Sequence, residues 1–319
     1  VFQTDFTAMF KSLRQLLILT LLGVFVSSCS TSEQVTERPQ YQVSDETEVF
    51  NPERPIPYPL DIPDVWNVAV ERGTRTETGE PGENYWQNES AYSLTAEIDP
   101  ANHMLYGSGD ISFTNNSPSA QQVVVLELAQ NLHKEGTPKM ENTEITGGMN
   151  LTSIKVEGKE FNEITFRQRW TQNASGYLVN GTNLYIFPEK SVATGETLNF
   201  SIDWNFEIPE RGASGRMGRS RGNLYYLAYW YPHVSVLDDV YDWFNDSFVG
   251  NAEFYYGFAD YDISITVPEG WLVMSTGEFL NPEETLSPLT FEQYRTAVNS
   301  DETVTVAGFD NLDNAAEGG

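Results

Sequence analysis

The 319-residue chain has one cysteine, three histidines, and 18 basic residues against 46 acidic ones. Each shortage narrows the chemistry. A lone cysteine, Cys29, cannot close an intrachain disulfide, and its place near the N-terminus removes it as a nucleophile for a folded site. None of His103, His133 and His233 is followed by a second histidine four residues on, so the zinc-binding H-E-x-x-H helix is missing. No G-x-S-x-G elbow, phosphate-binding P-loop or dinucleotide fingerprint occurs. The formal net charge of -28 argues against nucleic acid as a partner, because phosphate binding needs clustered cations. Long helical periodicity is also scarce: only "PLTFEQYRTAV", after Ser287, reads as a helix of useful length.

The N-terminal segment has a definite order. From Met9 it runs through Lys11 and Arg14, an apolar run from Leu16 to Val26, and small Ser27 and Ser28 ahead of Cys29. This is the charged, apolar, small-residue order of a secretory signal, and the apolar run is shorter than the roughly 20 residues a membrane span needs. "VSSC" resembles the lipobox of bacterial lipoproteins, which implies export, a lipid on Cys29 and anchoring to the cell envelope. Ser30 after the cysteine implies the outer membrane in a Gram-negative cell. Residues 1–28 are therefore read as upstream sequence plus signal. Residues 29–84 are read as an acidic, disordered linker, since seven of the sixteen prolines fall there without apolar periodicity. A strap laid across the following domain is the alternative.

After Tyr85 the hydrophobic period becomes two. "YSLTAEI" puts Tyr92, Leu94, Ala96 and Ile98 on one face, "GDISF" does so with Ile111 and Phe113, and Leu198, Phe200, Ile202, Trp204, Phe206 and Ile208 alternate without a slip. "SIKVEGKEFNEITF" predicts a hairpin that turns at Glu157-Gly158-Lys159, with Ile164 and Phe166 in its second arm. "YDISITVP" predicts a further half-buried strand with Tyr261, Ile263, Ile265 and Val267 on one face, and "TVTVAG" another short strand. Short strands between turn signals predict an all-β fold, an antiparallel sandwich.

Two stretches stand out as candidate sites. "RGASGRMGRSRG", Arg211 to Gly222, gathers four of the 18 basic residues in a glycine-rich loop. Arg216 and Arg219 there could meet a ligand carboxylate or the protein's own acidic surface. "YYLAYWYPHVSV", Tyr225 to Val236, follows with five aromatic rings. Alternation sends one set of rings, including Tyr226, to the core and lets the other face a cleft; Tyr229, Trp230 and Tyr231 are the candidates for a substrate-facing wall, and core or corner packing of all five rings is the alternative.

"YWQNESAYSLTAEIDPANHMLYGSGDISFTNNSP" followed by "LELAQNLHKEGT" resembles the opening of the N-terminal domain of M1-family zinc aminopeptidases, the gluzincin group. "GRMGR", "YYLAYWYP" and "DWFNDSFVGNAEFYYGFADYDISITVPEGWLVMSTGEFLNP" extend the resemblance over residues 85–282. It implies a saddle-like β domain that forms one wall of a substrate cleft. In such a parent a separate catalytic domain would hold zinc, which polarises a peptide carbonyl while a glutamate acts as general base. The resemblance further implies that residues 283–319 lead toward that missing domain, and that this chain has no catalytic residues, binds no zinc and is inactive alone. Its implied partners are peptide substrates, the catalytic domain of the same parent, and a membrane through lipidated Cys29. The family's Thr-Gln-x-Glu motif for a free amino terminus is not kept, since Ala228, Tyr229, Trp230 and Tyr231 occupy the region. A stand-alone lipoprotein that grips peptides or glycans with its rings, and a structural lipoprotein without a ligand, are the alternatives.

Overall fold

The computed structural model describes residues 62–212, 215–220, 224–252, 254–309 and 312–316. Cys29, the signal and most of the linker lie outside the described residues. The rest belongs to one compact unit, Asp61–Gly319, with its own apolar core.

Helix α1 (Asp64–Glu71) precedes two long strands, β1 (Glu89–Asp99) and β2 (Met104–Thr114). Short β3 (Val124–Glu127) runs into a 3-10 turn at Ala129–His133, followed by β4 (Asn150–Val156) and β5 (Lys159–Glu160). Helix α2 (Phe166–Gln172) leads to β6 (Gly176–Asn180), β7 (Asn183–Phe187) and the long β8 (Thr197–Glu207). Five short strands follow: β9 (Met217–Ser220), β10 (Leu224–Leu227), β11 (His233–Val234), β12 (Leu237–Asp238) and β13 (Asp242–Trp243). The last strand is β14 (Asp260–Thr266), and helices α3 (Pro282–Thr285) and α4 (Pro288–Val298) come after it.

The strands form a six-stranded sheet in the order β14-β1-β2-β8-β4-β5 and a four-stranded sheet, β11-β3-β7-β6, with two small ribbons. All pairings are antiparallel except β14 with β1. The inward sets of β1, β2 and β8 predicted from period two are buried, and they share one core with Leu126, Leu184 and Ile186 of the smaller sheet. This is the predicted all-β sandwich. Gly107 and Gly109 in β2 make room within it: a Cβ on Gly107 would lie 2.2 Å from the Trp204 indole, and one on Gly109 2.6 Å from Leu94.

Four sequence expectations need correction. The linker reading of 29–84 does not hold for its described part. Residues 62–84 carry α1, and Arg75 binds Asp239 at 2.7 Å through a carboxylate that is almost wholly buried. The Arg75 guanidinium also lies 4.7 Å from the Tyr85 ring centroid, so the segment is fastened rather than extended. The hairpin at Gly158 exists, but its second arm is only two residues long. Phe166 opens α2 instead, because Thr165 and Gln168 form a reciprocal capping box that favours helix entry. On β14, Tyr261 and Ile263 are exposed: the strand is at the edge of its sheet and none of its residues is fully buried. Residues 303–308 form no strand; the helix predicted at 288–298 is α4, started by Ser287 and Pro288.

Candidate functional site

The segment 228–232 has no regular structure, yet it is largely buried, so its backbone groups need partners. Two side chains from two elements supply partners within it, and a third holds Val234 just beyond it. Gln130 Nε2 donates to the Tyr229 carbonyl at 3.0 Å, Trp204 Nε1 donates to the Trp230 carbonyl at 2.9 Å, and the Val234 N–H donates to the Tyr92 hydroxyl at 2.9 Å. These clamps decide where each ring goes. Tyr229 packs against Phe248 and Phe254, and Trp230 against Trp204; both are core residues, 5% and 8% exposed. Their burial argues against the substrate-wall role expected of them. Tyr226, assigned to the core by alternation, is instead exposed, because the β9–β10 ribbon presents the opposite parity. Tyr225 meets His103, with Nδ1 and the hydroxyl oxygen 2.6 Å apart.

Tyr231 is half-buried at the edge of a cluster that sequence reasoning missed. β11 pairs with β3 so that His233 faces Glu127 across the sheet. Tyr256 stacks on His233 at 3.8 Å, and its hydroxyl hydrogen-bonds the Glu127 carboxyl. Tyr261 stacks on Tyr92 at 4.9 Å with rings 7° from parallel. The Tyr231 hydroxyl donates to that of Tyr261 at 3.2 Å, and the Tyr261 oxygen lies 3.3 Å from His233 Nε2. Because His233 Nδ1 is 2.8 Å from the Val234 carbonyl, it donates there, which leaves Nε2 to accept from Tyr261. The result is a directed chain from a half-open phenol to a buried imidazole.

Burial sets the protonation of the cluster. It lowers His233 to about 4, so the ring is neutral at neutral pH. It also pushes Glu127 up to about 7, against the hydrogen bond from Tyr256. Tyr92, Tyr231 and Tyr256 are all raised, mainly by burial, and stay protonated. A neutral imidazole acceptor, phenol donors and a carboxyl poised near neutrality form a hydrogen-bonding wall with apolar ring faces. A readable signal was present: Glu127 is the one acid inside the apolar run "VVVLEL".

Arg216 precedes β9 and Arg219 lies on it. Arg219 Nε donates to the Ile208 carbonyl at 3.3 Å, and Arg216 is exposed. A groove of about 530 Å3 runs over the six-stranded sheet, lined by short polar side chains such as Ser93, Asp110 and Ser201 and reaching Tyr92 and Tyr261 of the cluster. Among the described residues no group of three His, Cys, Asp or Glu side chains is disposed to hold a metal ion.

No protein-family model matches the sequence, and no curated protein matches it. Among solved structures the fold is distantly similar to the M1 zinc metallopeptidase from Deinococcus radiodurans. The TM-score is 0.35 at 12% identity, covering 63% of this chain and 37% of that one. A mutant of the same enzyme bound to a Tyr-Ser-Ala substrate gives a TM-score of 0.35 at 11% identity, covering 63% and 38%. The chain thus spans under two fifths of the length of these structures. Scores this low leave the functional argument to the residues themselves.

Proposed function

We propose that this chain is the N-terminal, non-catalytic portion of an envelope-anchored, aminopeptidase-like zinc metallopeptidase, and that its β domain forms one wall of a peptide cleft. The observation that carries this reading is the half-open ring cluster of Tyr231, Tyr256 and Tyr261 beside the edge strand β14. The outer edge of β14 has no strand paired to it among the described residues. An extended peptide can add there as a further strand, with main-chain hydrogen bonds holding it and Tyr261 and Ile263 touching alternate side chains. The ordered sequence resemblance over residues 85–282 supports the parent family. Hydrolysis would belong to residues outside this chain, so the 319 residues alone should not cleave an aminoacyl anilide.

Two measurements test the proposal. Reading the coding frame past Gly319 should reach an H-E-x-x-H helix with a glutamate downstream; a stop codon there sinks the peptidase reading. A fluorescently labelled hydrophobic peptide should bind the chain, and Tyr261→Ala should weaken that binding about tenfold, the equivalent of about 1.4 kcal/mol. Binding together with a stop codon would favour the stand-alone peptide-binding lipoprotein.

A further inference from the structure

Helix α2 lies on a different part of the molecule and carries an arrangement that its own fold does not use. Its side chains at 166 and 170 are four residues apart and therefore share one helix face. Phe166 is 66% exposed and Trp170 91% exposed. The capping box at Thr165 and the left-handed Asn173 at the other end fix the helix, so the two rings are held out in water rather than left on a floppy loop. Arg169 packs its guanidinium 4.6 Å from the Phe187 ring, which ties α2 to the end of β7 and turns its outer face away from the sheet.

The charge around α2 departs from the rest of the chain. Residues 155–190 contain five basic side chains, Lys155, Lys159, Arg167, Arg169 and Lys190, against four acidic ones, in a protein whose net charge is -28. No acidic residue occurs from 164 to 188. Arg167 and Lys190 are both exposed. An anionic surface would repel most of this molecule and meet no carboxylate on α2 itself.

We propose that α2 is a membrane-docking element that inserts Phe166 and Trp170 into the interfacial region of a bilayer carrying anionic headgroups, with Arg167 and Lys190 against the phosphates. Exposed aromatic rings flanked by cations suit that depth, where an apolar body and a polar rim are both satisfied. A protein partner fits less well, since a stable interface needs roughly 800 Å2 from each side. Two rings on a seven-residue convex helix offer far less than that. The acidic remainder would help orient the domain, because residues 155–190 carry more basic than acidic side chains and meet the lipid with less repulsion than a chain of net charge -28 does on average.

The test uses the chain from Ser30 onward, which keeps the whole compact unit and omits the apolar signal run and Cys29, so that neither can hold it to lipid. At 0.15 M salt it should cosediment with vesicles of equal parts phosphatidylglycerol and phosphatidylcholine, and not with pure phosphatidylcholine. The double variant Phe166→Ser/Trp170→Ser should bind at least about tenfold more weakly. Arg167→Glu, which leaves both rings in place, should also lose about tenfold. Equal sedimentation of the double variant, equal binding to the neutral vesicles, or no sedimentation of the parent chain overturns the proposal. So does self-association that the double variant abolishes without any lipid binding, which would mark the rings as a contact between copies. If the double variant melts at a lower temperature than its parent, the Arg167→Glu result alone decides.

Discussion

Glu127 and His233 face each other with opposite proton preferences, and this has a measurable consequence. Glu127 has a folded pKa near 7, above its ordinary 4.5, so it contributes stability that is full below pH 4.5 and lost as pH rises through 7. His233 has a folded pKa near 4, below its ordinary 6.5, so its contribution is present above pH 6.5 and lost as pH falls toward 4. Each shift corresponds to about 3 kcal/mol. Between pH 4.5 and 6.5 these two slopes cancel each other, which leaves the wild-type profile to the other groups, His133 among them. Urea unfolding across that window should show stability rising more steeply with pH in Glu127→Gln than in the wild type, and less steeply in His233→Phe, while buried His133, also lowered by burial, adds the same rising slope to all three proteins. Parallel profiles for all three proteins would mean the two groups are not buried as described.

At the scale of elements, close packing and one ion pair hold the parts together. Gly107→Ala would push a methyl group to within 2.2 Å of the Trp204 indole, whose Nε1 also clamps the Trp230 carbonyl. The expected loss is about 3 kcal/mol, read as a lower melting temperature, while Gly257→Ala, with open space around it, should be silent. Arg75→Ala leaves the buried Asp239 carboxylate without its cation. Burial would raise that group, and hydrogen bonds from Arg75 and Thr74 now hold it below the usual carboxylate range. Breaking the pair should cost about 3 kcal/mol and open residues 62–84 to protease before the sandwich unfolds.

These elements also show how far the sequence could be read. β1, β2 and β8 were legible because one face of each meets the core, so the pleat writes itself as period two. β14 has the same pattern, but a periodic sequence does not reveal whether a second layer covers it. The parity of Tyr226 depends on where the chain enters the β9–β10 ribbon. The fates of Tyr229 and Trp230 depend on Gln130 and Trp204, which are distant in sequence. The ring cluster was the least legible part, since Glu127, His233, Tyr256 and Tyr261 come from three separate stretches joined by pairing that no local pattern encodes.

For the whole molecule, two surface properties oppose each other. Phe258, Met274, Leu280, Leu289, Val298 and Phe309 are all more than half exposed, an apolar inventory that favours association. The net charge of -28 favours separation, because like-charged copies repel over the Debye length. That length is roughly 30 Å at 0.01 M salt and about 3 Å at 1 M. Repulsion therefore reaches well beyond the contact distance in dilute buffer and is confined to it in strong salt, while the apolar attraction is not screened. Sedimentation velocity of the chain from Ser30 onward should show monomer at 0.01 M sodium chloride and concentration-dependent oligomers at 1 M. A single monomeric boundary at both would mean that the exposed side chains are too scattered to cooperate, and that charge does not keep the copies apart.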